Sequence, residues 1–266
     1  MRGPIVLLAA ILFSPASWGA IATDSVGAMQ DATSVTGFTY PHTVGSGSDR
    51  FISVIGGGSN VTEEAITGTY AGEALTFLSY ARTNNSAQRV YLLYMVAPPS
   101  GTANVVIDFA VTLNTAHSHT TSWTGVDQAS PYGTPANDQG AAGTVTTVAP
   151  NTDAGDTAYS MTIFGVASGT LTPGNGQTLL ATTGADSRPI GDAYKAADTP
   201  TTTLSWTCTA SGNFGSLGVA MNAAPEPPPT PSSGCITSAW STGAGWSISS
   251  DGCSGWATDS LSSEPF

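Results

Sequence analysis

The chain has 266 residues, room for one large β-rich domain with an appendage, and only 9% of them are charged, against roughly 25% in an ordinary soluble protein. Its 31 glycines, 17 prolines and long Thr/Ser-rich stretches favour strands and turns and exclude a coiled coil or a helical bundle. With 6 basic residues against 18 acidic ones the net charge is −12, and Lys195 is the single lysine. A chain this acidic repels phosphate backbones, so nucleic acid is excluded as a partner.

At the amino terminus Arg2 precedes an apolar run, Ile5 to Phe13, which Ser14-Pro15 breaks. The run is less than half of the about 20 residues that a membrane-spanning helix needs. Small residues at −1 and −3 mark signal cleavage. Ala20-Ile21-Ala22 places the cut before Thr23, with Ser17-Trp18-Gly19 as the second choice. Residues 1–22 therefore read as a signal peptide. The expected product is secreted and extracellular, with the periplasm, the cell surface or a virion as alternatives, and its mature chain carries no transmembrane segment.

From about residue 24 the chain alternates. Val105, Ile107, Phe109, Val111 and Leu113 share one face, with Asp108 and Thr112 on the other, the period of two of a half-buried strand. Leu204, Trp206 and Cys208 repeat the pattern, as do Leu217, Val219 and Met221. Val90 to Val96 is apolar on both faces and predicts a central strand covered on both sides. Phe51 to Ile55, Leu75 to Tyr80 and Tyr159 to Val166 are further strands. Gly/Pro/Asn punctuation lies between them, as at Gly56-Gly57-Gly58 and Pro98-Pro99-Ser100-Gly101. Gln128 to Gly143 reads as a long polar loop. This spacing predicts an all-β fold, a two-sheet antiparallel β-sandwich over residues 23–223, jelly-roll-like because of its size.

At Ala224 the composition changes. Residues 224–234 form a Pro-rich spacer, and residues 235–266 are too few to bury a core unaided. They carry Trp240, Trp246 and Trp256 and read as a small C-terminal tail or a truncated module. In an oxidising compartment Cys235 and Cys253 are the expected disulfide, whose loop closure contributes on the order of 3 kcal/mol. Cys208, on the inward face of its strand, is expected to be a buried free thiol.

Candidate chemistry is sparse. His117 and His119, two apart on a strand, project to one face and can hold a metal if His42 or Asp127 supplies a third ligand. The alternative places both on the solvent side of Thr115 to Thr121. Asp153, Asp156, Asp186 and Asp192 lie near glycines and read as Asx-turn residues in loops. No GxSxG, Walker or dinucleotide motif occurs, and the glutamates are few, so neither a catalytic constellation nor a cofactor is expected. Aromatic rings beside amides suit the faces of sugars. Trp123, Tyr132 and Asp127, with Trp240, Trp246 and Trp256, are the candidate ligand-binding residues, although Trp123 also fits the core.

His42-Thr43-Val44-Gly45-Ser46-Gly47 leads into Arg50-Phe51-Ile52-Ser53-Val54, and Tyr70-Ala71-Gly72-Glu73-Ala74-Leu75 follows. Leu93 to Asp108, Ser122-Trp123-Thr124-Gly125-Val126-Asp127-Gln128 and Leu204-Ser205-Trp206 complete a series. Over residues 24–223 the series resembles poorly characterised β-sandwich domains of secreted bacterial surface proteins and of phage structural or tail proteins. The resemblance implies an adhesive or architectural role at a surface or in a virion and carries no catalytic residues with it. Three functions follow in order of preference. The first is a non-catalytic structural or adhesive protein that binds a surface polymer or self-assembles. The second is a carbohydrate-binding module, and the third a hydrolase with an unrecognised site.

Overall fold

The computed structural model describes residues 20–59, 66–85, 87–183 and 188–225. The signal segment up to residue 19, Asp186, the spacer beyond Pro225, Cys235, Cys253, Trp240, Trp246 and Trp256 lie outside the described residues. Every regular element among those described is a strand. The first eight are β1 (Ala22–Val26), β2 (Gln30–Val44), β3 (Phe51–Ser59), β4 (Ile66–Tyr70), β5 (Glu73–Ala74), β6 (Thr76–Arg82), β7 (Gln88–Val96) and β8 (Gly101–Thr124). Six more follow: β9 (Ala136–Val148), β10 (Thr157–Phe164), β11 (Leu171–Pro173), β12 (Thr178–Thr182), β13 (Ile190–Ala196) and β14 (Leu204–Met221).

Two antiparallel sheets pack together as a β-sandwich. The first runs β5-β4-β8-β3-β7-β6, with β1 and β2 also paired to β8. The second runs β11-β14-β10-β13-β12, with β9 paired to β14. Each sheet is built from one continuous stretch of chain, so the connectivity is not that of a jelly roll, in which the chain passes repeatedly between sheets.

The two orders are the same plan used twice. Replacing β4, β8, β3, β7 and β6 by β11, β14, β10, β13 and β12 maps six of the eight strands of the first sheet onto the second, with β2 corresponding to β9; β1 and β5 belong to the first sheet alone. The match extends to register. Ile66 faces Phe109 as Leu171 faces Cys208. Thr76 faces Tyr94 and Phe77 faces Leu93, after which a bulge shifts the ladder before Ser79. Thr178 faces Tyr194 and Leu179 faces Ala193, with the same shift before Ala181. A bulge inserts one residue at one defined rung, so its recurrence fixes the equivalence residue by residue. The domain is a tandem pair of units built on a shared six-strand plan, to which the first adds β1 and β5.

Each unit is itself two layers. The long strand β8 leaves the central sheet near Thr115, and its first half crosses the outer face with β4 and part of β2. Tyr40, Val105, Ile107 and Phe109 thereby share a core with Ile52, Val54, Leu93 and Met95. Tyr40 completes this cover by bonding Ser118 Oγ at 2.7 Å and Thr120 Oγ1 at 2.8 Å. In the second unit β14 does the same, laying Trp206 and Cys208 against Phe164 and Ala193. Between the units lies the central core, where Phe51, Ile55, Leu92 and Trp123 meet Tyr159, Met161, Ile163, Leu217 and Met221.

The alternating stretches are buried as the sequence predicts. Val105, Ile107, Phe109 and Leu113 point inward while Asp108 and Thr112 are exposed. Val90 to Met95 is covered on both faces. Cys208 is a buried free thiol. One stretch differs: residues 136–143, expected to be loop, form the first part of β9 and pair with β14 from Gly212 to Gly218. Small polar residues give that segment no apolar face to read. Gly140 is required there, because a Cβ would come within 2.4 Å of the Phe214 ring.

Candidate functional site

The side chains singled out in the sequence converge on the interior rather than on a surface. Register decides this. On β8, Trp123 faces Phe51 and His119 faces Ile55, both residues of the central core. Residues 117, 119, 121 and 123 therefore all point between the two sheets. His117 and His119 do share a face, and both are buried, which corrects the alternative that placed them in solvent.

His119 is held at both nitrogens. Nδ1 lies 3.0 Å from Asp192 Oδ2 on β13, and Nε2 lies 3.0 Å from the Gly27 carbonyl between β1 and β2. Tyr159 on β10 donates its hydroxyl to the same Asp192 oxygen at 2.8 Å. Burial and the charge of Asp192 push the Tyr159 hydroxyl well above its ordinary pKa. Asp192 was expected in a loop as an Asx-turn residue. It lies instead in a strand and is fully buried, on the inward face that Ile190 and Tyr194 share.

His117 Nδ1 is 3.3 Å from Asp31 Oδ1, near enough for an ion pair but outside hydrogen-bond geometry. Burial drives the His117 pKa down to about 4, against the raising effect of Asp31 and with a smaller lowering effect of Arg188. His42 is likewise lowered to about 4, by burial first and by His119 second, with Asp24 opposing. Among the described residues, no three His, Cys, Asp or Glu side chains are grouped to hold a metal ion.

Asp127, considered as a third ligand, spends Oδ1 on the Ala129 amide at 2.8 Å, which makes it an Asx-turn residue beside Gly125 (φ 75°). Trp123 is core. Its indole donates to Ser53 Oγ at 2.9 Å and meets Tyr159 and Tyr194 edge to face at 5.9 and 5.3 Å. Tyr132 packs its ring against Phe51 and Tyr94 at 5.3 and 5.4 Å, with its hydroxyl buried. Trp123 is fully buried and offers no face to a sugar, whereas Tyr132 is partly exposed.

The open concavity is elsewhere. At the loop end of the second unit a groove of about 540 Å³ is lined by Asn151, Asp153, Asp156, Thr201 and Asn222, with Gly133 and Pro200 at its sides. Asp156 braces it, accepting the Asp153 amide at 2.8 Å and the Ala223 amide at 3.1 Å. The first unit has Arg50 at the equivalent position, immediately before its central strand. The Arg50 guanidinium donates to the Gly47 and Pro98 carbonyls, both at 3.0 Å, and ties the two turns together.

The residues that sequence reasoning missed are Gly27, Tyr159 and the buried setting of Asp192. A charged residue alternating with Ile190 and Tyr194 is the signal that would have found the last of these. No family model matches the chain, and no curated protein or solved structure matches it.

Proposed function

We propose that the chain is a non-catalytic structural or adhesive protein of the cell exterior or of a virion, with the β-sandwich as a rigid building block. One observation carries the reading. The histidines and most large aromatic rings of the duplicated domain are buried between its layers, while the exposed residues of a long strand such as β9 are mostly small or polar, Asn137, Gln139, Ala141, Ala142, Thr144 and Thr147. A duplicated, sealed stack presents extended flat faces, and such faces suit lateral packing or attachment to a polymer better than enclosing a substrate.

Export rests on the Arg2 and Ile5–Phe13 pattern. A mature product whose mass begins at Thr23 supports it, and a cytosolic product that keeps its first residues refutes it. For the architectural role, electron microscopy of the purified mature chain is expected to show regular polymers or particles, or a pull-down to show retention on a cell surface. A monodisperse monomer that binds no surface refutes that role.

A second reading draws on the polar groove. Amides and carboxylates at Asn151, Asp153 and Asn222 are groups that bind sugar hydroxyls, and the volume lies in the range of small-ligand clefts. Loss of a glycan-array signal in Asn222→Ala and Asp153→Ala favours carbohydrate binding through this groove. A signal that survives both, and disappears with Trp240, Trp246 and Trp256, moves the site to the tail.

A further inference from the structure

We propose that His119 is a proton-operated clasp: with both ring nitrogens protonated it donates to Asp192 of the second sheet and to the Gly27 carbonyl between β1 and β2, and loss of one proton releases the N-terminal segment. A neutral imidazole has a single N–H, whereas the imidazolium has two. Both partners of His119, each at 3.0 Å, are acceptors. A backbone carbonyl only accepts. An ionised carboxylate only accepts as well, and Asp192 Oδ2 already takes the Tyr159 proton. Two acceptors on one ring demand two ring protons.

The titratable and charged neighbours come from six places. Asp192 is on β13, Tyr159 on β10, His117 on β8, and Tyr40, His42 and Asp31 on β2. Asp24 lies on β1, and Arg188 just before β13. Burial lowers the affinity of His119 for its proton. The Asp192 charge and the hydrogen bonds to Asp192 and Gly27 outweigh burial, and the net shift is upward. His42 stays neutral over that range, the charge of His119 adding to the burial that holds its pKa at about 4.

The sign follows. A histidine whose folded pKa is raised contributes its stabilisation in full below its ordinary value of about 6.5 and loses it as pH rises through the higher folded value. The clasp is therefore closed below about 6.5 and opens as pH rises through the raised folded value. A neutral ring keeps one of its two contacts. Asp192 is fully buried, whereas Gly27 sits half-buried at the sheet margin, so the Gly27 contact is the one released.

The test uses the whole chain. Ring-nitrogen NMR is expected to report His119 as imidazolium at about pH 6, titrating only above about 6.5. Hydrogen exchange, corrected for its intrinsic pH dependence, is expected to show residues 22–31 losing about tenfold or more of their protection across that titration. The β10–β13 ladder should keep its own. Asp192→Asn keeps the shape, and it should bring the His119 titration below 6.5 and abolish the pH-dependent loss. A neutral His119 ring at about pH 6 overturns the proposal, because it means that Asp192 carries the proton. So does a charged ring whose titration leaves residues 22–31 unchanged. Should Asp192→Asn fail to fold, these two measurements on the unmodified chain decide alone.

Discussion

The two units share a six-strand backbone plan down to a bulge and differ in what they place on it. On the central rung of the first unit, Ile55 lies between His119 and Leu92. On the corresponding rung of the second, Met161 lies between Leu217 and Asp192. Each unit thus contributes one polar group, at non-equivalent positions, and the two meet across the interface as the His119–Asp192 pair. The counterpart positions hold Leu217 and Leu92, both fully buried in the same core. The loop ends diverge in the same way. Arg50 closes the turns of the first unit, and Asp156 braces an open groove in the second. Duplication supplies a stable frame twice over, and chemistry enters where the copies have stopped matching.

The largest effect expected from breaking this asymmetry is at Asp192. Removing one member of a buried ion pair leaves an uncompensated charge, which costs about 3–5 kcal/mol, whereas replacing both members by apolar residues of similar size is often neutral or stabilising. Asp192→Leu alone should lower stability by about that amount. Adding His119→Leu writes onto these two positions the Leu/Leu pair that their counterparts already hold, and should restore most of the loss. Urea unfolding of the two single variants and the double variant measures the coupling. A double variant as weak as the sum of the singles would break the comparison.

The histidines also shape the pH profile. His42 and His117, both lowered to about 4, are neutral in the folded chain where the unfolded chain takes up protons near 6.5. Stability should therefore fall as pH drops from about 6.5 towards 4 and level off below, by about 1–3 kcal/mol per histidine after screening. With His119 acting on the alkaline side, thermal stability is expected to peak near neutrality. Substituting His42 by Gln should shallow the acid limb and leave the alkaline limb in place.

A smaller effect compares the two buried indoles. Trp123 donates to Ser53 in the central core at 2.9 Å, and Trp206 donates to Ser160 in the outer layer at 3.0 Å. Tryptophan to phenylalanine at either site removes one buried hydrogen bond, about 1 kcal/mol, and leaves a modest void. Trp123 also meets two tyrosines edge to face, so its loss should exceed that of Trp206 by about 0.5–1.5 kcal/mol. Equal losses would mean that the central and outer cores are energetically alike.

The strands were legible where one face is apolar, as in Val105–Leu113 and Leu204–Cys208, because alternate burial leaves its period in the residues themselves. The repeat was not, since its copies agree in rungs and a bulge while the side chains have diverged, Trp123 against Met221 and His119 against Leu217. Nor was β9, whose small polar residues read as loop until Phe214 is seen lying on Gly140. The spacing of His117 and His119 put them on one face. Which face depends on pairing with Phe51–Gly58, and the partner Asp192 is 73 residues away. Such distances are set by the fold, and no local pattern records them.

The smallest expected change in stability lies at the margins, where the two units agree most closely. β6 and β12 end their sheets, and each carries an apolar side chain beside its bulge: Phe77 is 47% exposed and Leu179 42%. Bulges at an edge discourage further strand pairing, so these side chains, rather than open backbone, are what each margin offers to a neighbouring molecule. Replacing both by lysine should change unfolding free energy by no more than about 0.5 kcal/mol, as for other surface substitutions. If the domain assembles laterally through its margins, the same pair of changes should dissolve the assemblies seen by electron microscopy while the monomer stays folded. Replacing only one should already return the chain to monomers if contact runs from β6 of one molecule to β12 of the next, because every head-to-tail interface then contains the changed margin. Symmetric contact between like margins predicts dimers from either single variant, and size-exclusion chromatography separates the two outcomes.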